Sequence, residues 1–303
     1  MGRWTLVLGA LAAGAARGAD SGAGISAFAA DDSEGFATGR VSLGYLPAYT
    51  NRDIHTGVRV AGSHFAQDGW QRDAQQISVV HRDLDSATTD GLQVEAGFSR
   101  QGGHGLLTLD AGYRKALSAK TSVEVFLNRD WVETRRALDD GVRFTFGGAA
   151  VEQGIGEHVT VVGLAGYQDF SDGNHRTHGR LRLIVQPSLE LGLTLQARVR
   201  TWRGAGDGTI RSYFNPARYD EAMLALGWRK RFSGNMASVT AGVGRQRVGD
   251  AERTATRLLE AAWETPVKAR SSLRLRAGYN RSAAFGGPDY SYRYAQAELL
   301  MAF

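Results

Sequence analysis

The 303-residue chain has no cysteine, only five prolines and, beyond its first residues, no long apolar run. The missing cysteine excludes a disulfide framework and a thiolate-bound metal. No later segment approaches the eighteen or so consecutive apolar residues of a membrane-spanning helix. No block of one charge is present either. The net charge is +5 and the pI about 9.6, but the basic residues are scattered rather than gathered into a tail or a basic helix. A nucleic-acid partner is therefore not expected.

What is present begins with glycine, 39 residues, nearly twice the usual share of about 7%. The N-terminus MGRWTLVLGALAAGAARGAD carries Arg3, an apolar run from Trp4 to Ala15, then small residues. Cleavage after Gly18, with Ala16 three residues from the cut, fits a secretory signal peptide. Residues 1–18 are expected to be that signal and residues 19–303 a single domain, since no linker or low-complexity tract interrupts the rest.

From there one pattern repeats. LQVEAGF sets Leu92, Val94, Ala96 and Phe98 against Gln93 and Glu95. LTLDAGY sets Leu107, Leu109, Ala111 and Tyr113 against Thr108 and Asp110, and VSLGY, VRFTF, RLRLIV, LTLQARVR and SLRLRAGY follow. Alternation with period two belongs to strands with one apolar face. About sixteen segments occur, an even number as bacterial barrels have. The expected starts are Gly24, Ala37, Asp53, Trp70, Asp90, His104, Lys120, Asp139, Glu157, Asn174, Glu190, Ala217, Gly234, Ala251, Lys268 and Asp289. Pro47, Pro187, Pro216, Pro266 and Pro288 are all expected in turns, because proline removes a ladder hydrogen bond.

Short connections such as ALSAKT, EQGIGEH, QPSLELG and FSGN alternate with the longer RDWVETRRALDD, DFSDGNHRTHG, WRGAGDGTIRSYFNPARYD and NRSAAFGGPDYS. Short turns lie at the periplasmic end of such barrels. The expected fold is therefore an all-β transmembrane antiparallel β-barrel of about 16 strands in a bacterial outer membrane, with both termini periplasmic. Trp70, Trp131, Trp202 and Tyr279 would form an outer aromatic girdle, and Tyr45, Tyr113, Trp228 and Trp263 an inner one. A soluble β-sandwich would use shorter strands.

The opposite parity would line the lumen. It carries Arg114, Arg143, Arg180, Arg182, Arg198, Arg200, Arg274 and Arg276, with Glu95, Asp110, Glu124, Asp130 and Glu298. A stripe of arginine favours anions in a pore; pairing with the acids across a filled lumen is the plainer alternative. His175 and His178, near Asp172, fall short of a three-ligand metal site. His104 and His158 have no identifiable serine and acid partners for a hydrolytic triad. GVGRQ lacks the strand-to-helix setting of a phosphate loop. No catalytic residue, cofactor or metal is assigned, and no enzyme is expected.

Two resemblances add to this. The ending YAQAELLMAF resembles the C-terminal recognition strand of outer-membrane barrels, which implies delivery to the barrel-assembly machinery with Phe303 as terminal aromatic. SYFNPARYDEAMLALGWRKRF resembles a stretch of exopolysaccharide-associated barrels: the porin domains of the poly-N-acetylglucosamine and cellulose exporters, phage-adsorption proteins, and YaiO-type barrels. The matching residues are Tyr213, Phe214, Pro216 and Tyr219. The resemblance implies passage of surface polysaccharide or related saccharide, with Tyr213, Phe214 and Tyr219 as outer-loop sugar contacts, and synthesis or secretion proteins as partners. The exporters' helical tetratricopeptide repeats are missing here, which points to a stand-alone barrel in outer-membrane lipid. A receptor or scaffold with a blocked lumen, and a barrel hydrolase acting on lipid or glycan, remain alternatives.

Overall fold

The computed structural model describes residues 20–205, 212–267, 270–282 and 290–303. The expected signal peptide lies outside them. The elements are β1 (Asp20–Asp32), β2 (Ala37–Asn51), β3 (Ile54–Gln67), β4 (Trp70–Leu84), β5 (Gly91–Gln101), β6 (His104–Ser118), β7 (Thr121–Trp131), α1 (Arg135–Asp139), β8 (Arg143–Ile155), β9 (Val159–Phe170), β10 (His175–Ser188), β11 (Leu193–Gly204), β12 (Arg218–Phe232), β13 (Asn235–Val248), β14 (Thr254–Glu264), β15 (Ser271–Arg281) and β16 (Ser291–Ala302).

Every strand pairs antiparallel with its chain neighbours, and β1 closes on β16 from Gly22↔Ala302 to Asp32↔Tyr292. Closure leaves no edge whose backbone polar groups would face hydrocarbon. The apolar parity faces outward: Val41, Leu43, Leu107, Leu195, Val199 and Leu224 are exposed, Leu107 at 72%. Such a face is costly in water and suited to lipid. The expected starts at Lys268 and Asp289 fall outside the described residues, where strands begin at Ser271 and Ser291. The largest shifts elsewhere, Gly24 to Asp20 and Asp139 to Arg143, are four residues.

Several expectations need correction. Pro47 and Pro187 lie inside β2 and β10 rather than in turns. Both coincide with breaks in register, between Tyr45 and Ala48 and between Val185 and Ser188. A bulge leaves a residue unpaired, so the absent N–H costs no ladder bond there. Pro288 lies outside the described residues. DFSDGNHRTHG is no long loop: residues 171–174 make the turn, and His175 already belongs to β10. Trp131 and Trp202 are buried, Trp202 at 3% exposure, so neither belongs to a lipid girdle. Trp202 shares lumen parity with Arg198 and Arg200, while Trp131 turns inward at the end of β7 to meet Phe65, Leu106 and Leu138. Trp70 packs against the same cluster. Arg143 points the other way from expectation, because Phe144 and Phe146 take the lumen side, on Phe170 and His178.

The longest connections, those joining β7 to β8, β11 to β12 and β15 to β16, all leave and rejoin the barrel at the end opposite the termini. The first folds into the barrel mouth. Thr134 caps α1 by accepting from the Ala137 N–H at 3.3 Å, the expected use of threonine at this position. Gly141 ends the helix at φ +66°. A Cβ there would meet the His104 ring at 2.6 Å, so both conformation and space call for glycine.

Candidate functional site: a partitioned lumen

The lumen narrows at both ends. At the outer mouth Ala137 and Leu138 have no exposed surface. Their segment is held by Arg40 to Glu133 at 2.5 Å, by Gln101 to the Leu138 carbonyl at 2.8 Å, and by Trp70 and Arg72 to Asp139. Burial would raise the Asp139 pKa, but the hydrogen bonds from Arg72 and Trp70 outweigh it and hold the carboxyl below its ordinary range. At the inner end, Leu46, Tyr49, Val80 and Leu300 form a second cluster. Buried Arg52, in the turn after β2, reaches Glu264 on β14 at 3.2 Å.

Among the described residues, three cavities line the lumen between these narrowings. The outer vestibule, about 520 Å³, is lined by aromatics including Trp131, Trp202, Phe214 and Tyr292. A recess of about 450 Å³ on the β1–β7 side contains Arg40, Arg59, Glu95, Asp110 and Asp130. A recess of about 350 Å³ on the β9–β12 side contains Arg180, Arg182, Arg198, Arg200 and Glu221. Arg180 and Arg200 line both this recess and the vestibule, and Asn128 and Asp130 line both the other recess and the vestibule.

The arginine stripe read from the sequence is brought together. Arg180 stands opposite Arg200, and Arg182 opposite Arg198, across the β10–β11 ladder. Arg200 is neutralised by Glu221 and also bonds the Tyr219 hydroxyl at 3.3 Å. Arg274 is divided between Glu264 at 3.2 Å and Glu298 at 3.5 Å, and Arg276 lies 3.8 Å from Glu264. Glu95 accepts from Arg59 at 2.6 Å and Ser78 at 2.7 Å. Glu124 stands opposite Arg114, which pairs with Glu152 at 3.2 Å.

The loop aromatics form a latch. Tyr213 stacks on Phe170 with centroids 4.6 Å apart and donates to Asp172 at 3.1 Å. Burial pushes its pKa well above the usual tyrosine range, opposed by the Asn174 amide and supported by Asp172, so it stays a neutral donor. Tyr219 is in β12, not a loop, and has no exposed surface. It stacks on Trp202 at 4.1 Å and sits in a hydrogen-bond network with Glu221, Gln246 and Ser282. Of the three aromatics expected to touch sugar, Phe214 alone is neither fully nor nearly fully buried. Sequence reasoning missed Arg176, which binds the Phe214 carbonyl and Asn215 and lies within 5.5 Å of the ring centres of Phe170, Tyr213 and Trp202. Its parity with Arg180 and Arg182 was the available signal.

The histidines are dispersed. His104 approaches the Asp139 carbonyl, His158 the Gln186 carbonyl, His178 the Gln168 amide, and His175 stacks on Tyr167. Among the described residues no three metal-binding side chains converge.

No protein-family model matches the chain, and no match was found among curated proteins. A solved structure described as a bacterial polysaccharide outer membrane secretin aligns with 95% of this chain and 100% of its own, at TM-score 0.67 and 14% identity. OprD of Pseudomonas aeruginosa aligns at TM-score 0.45 and 11% identity, over 94% of each chain. OccAB3 of Acinetobacter baumannii aligns at 0.46 and 10%, over 94% of this chain and 100% of its own. Only the first clears 0.5, and at that identity it speaks to the fold. An apolar exterior, closed ladder and polar interior define the class: a porin-like β-barrel of the bacterial outer membrane.

Proposed function

We propose that this barrel passes surface polysaccharide or related saccharide across the outer membrane, without catalysis, by diffusion along its polar lumen. The observation that carries the reading is the continuity of the aromatic vestibule with both lumen recesses through shared lining residues. Aromatic faces stack on the C–H faces of sugars, and charged groups below them bind hydroxyls and carboxylates. The likeness to the polysaccharide secretin supports the same reading. Partners on this reading are exopolysaccharide and its synthesis or secretion proteins, with Phe303 read by the barrel-assembly machinery.

The narrowed mouths favour one second reading, a non-conducting receptor or scaffold. Proteoliposomes loaded with neutral and acidic oligosaccharides of graded length separate the two. Release that falls with oligosaccharide size supports passage. Retention of every oligosaccharide by a folded, heat-modifiable barrel overturns passage and favours the scaffold.

A further inference from the structure

Most lumen arginines on the β2–β7 side and on β15 meet a carboxylate: Arg40 with Glu133, Arg59 with Glu95, Arg114 with Glu152, Arg274 with Glu264. The recess of β9–β12 differs. Among the described residues no carboxylate lies within ion-pair distance of Arg180, Arg182 or Arg198, and Arg198 is held only by the Gln196 amide oxygen, at 2.8 and 3.0 Å. Arg182 and Arg198 nevertheless face each other across the ladder. Like charges directly opposite destabilise a sheet, and among the described residues no ion pair offsets this one; Glu260 and Glu221 act on Arg198 only from beyond ion-pair distance. The same recess has an apolar lining of Val162, Leu164 and Met223. Three unpaired guanidinium groups beside an apolar surface, in about 350 Å³, suit a ligand that joins a carboxylate to a ring with an apolar face.

We infer that Arg180, Arg182 and Arg198 form a binding site for the carboxylate of an acidic saccharide, a uronate residue of a glycan chain. Arg200 is not part of it, since Glu221 already neutralises that group. The guanidinium fork matches a carboxylate in two parallel hydrogen bonds, and the sugar ring covers the apolar lining. This deepens the passage reading and rests on it for the ligand's being a saccharide; capture of the anion stands separately.

The test is calorimetric titration of the folded mature chain in neutral detergent with tetragalacturonate, a neutral tetrasaccharide of the same length, and acetate. Tetragalacturonate is expected to bind at least tenfold more tightly than either control and to weaken as salt screens the arginines. R182S/R198S should lose tenfold or more of that affinity. R182K/R198K, which keeps the charge but not the fork, should fall between, and both variants are checked for heat-modifiable migration. Equal affinity for the neutral tetrasaccharide, or an unchanged affinity in folded R182S/R198S, overturns the site. Affinity for acetate equal to that for tetragalacturonate leaves an anion site and overturns the saccharide. Uronate binding without oligosaccharide release from proteoliposomes defeats passage and leaves the site standing; release without uronate binding does the reverse.

Discussion

The β2–β5 wall and the β10–β11 wall face the same lumen with similar numbers of arginines. On the first, Arg40 and Arg59 end on carboxylates and Arg82 on the Gln93 amide. On the second, Arg180, Arg182 and Arg198 crowd one another, and of these and Arg200 it is Arg200 alone that has a carboxylate within ion-pair distance among the described residues. A charge whose partner comes from the same chain contributes to the fold. A charge without one contributes potential to the lumen and leaves like-charge repulsion behind. The first wall is therefore read as structural and the second as available to a ligand.

Substitutions break this comparison in order of size. The largest effect belongs to Arg176→Ala, at the outer end of the basic wall. It removes a buried guanidinium from three rings and from the Phe214 carbonyl. A loss of roughly 3 kcal/mol is expected, seen as earlier urea unfolding by tryptophan fluorescence and faster digestion of the connection between β11 and β12. Glu95→Gln comes next. It strips Arg59 of its near partner, leaving Glu298 at 3.9 Å, and should cost about 1–2 kcal/mol in the same assay. Arg182→Ser should differ in sign. Removing one of two opposed like charges should leave stability within about 0.5 kcal/mol of the parent, on the stabilising side. Should Arg182→Ser cost as much as Glu95→Gln, the distinction between the walls is lost.

The smallest effect is one of pH, at the outer mouth. Because the Asp139 pKa is lowered in the folded barrel from the ordinary 3.8, its contribution is fully present above that value and is lost as pH falls through the folded pKa. Asp139 is partly exposed, so the loss is modest. Digestion within residues 132–142 should rise as pH drops below about 4, and Asp139→Asn should flatten that rise and show the faster digestion already at neutral pH.

Much of the fold was legible because it depends on local alternation. Leu92 to Phe98 and Leu107 to Tyr113 state their outward face residue by residue, and strand starts follow from that and the turns. Parity also held the answer for Trp202, which shares the face of Arg198 and Arg200; its size and place near a strand end suggested a girdle instead. Pro47 and Pro187 were misplaced because a bulge is a property of two strands together, not of the strand that carries the proline. The α1 cap, Thr134 before RRALD, is written in the sequence, but burial of Leu138 in the mouth depends on β3, β4 and β6. The site was half legible. Spacing brought Arg180, Arg182, Arg198 and Arg200 to one wall. Which of them keeps a free charge depends on Glu221 facing Arg200 in the β11–β12 register, and alternation excludes a one-residue slip but not a slip of two.

Reversal potential under a potassium chloride gradient, in planar bilayers holding refolded residues 19–303, tests the unneutralised basic wall most directly. The parent barrel should prefer chloride, and R180S/R182S/R198S should move the reversal potential toward zero or into cation preference, while Glu95→Gln leaves chloride preferred. A parent channel that prefers potassium, or a triple variant with the parent's reversal potential, would contradict the account.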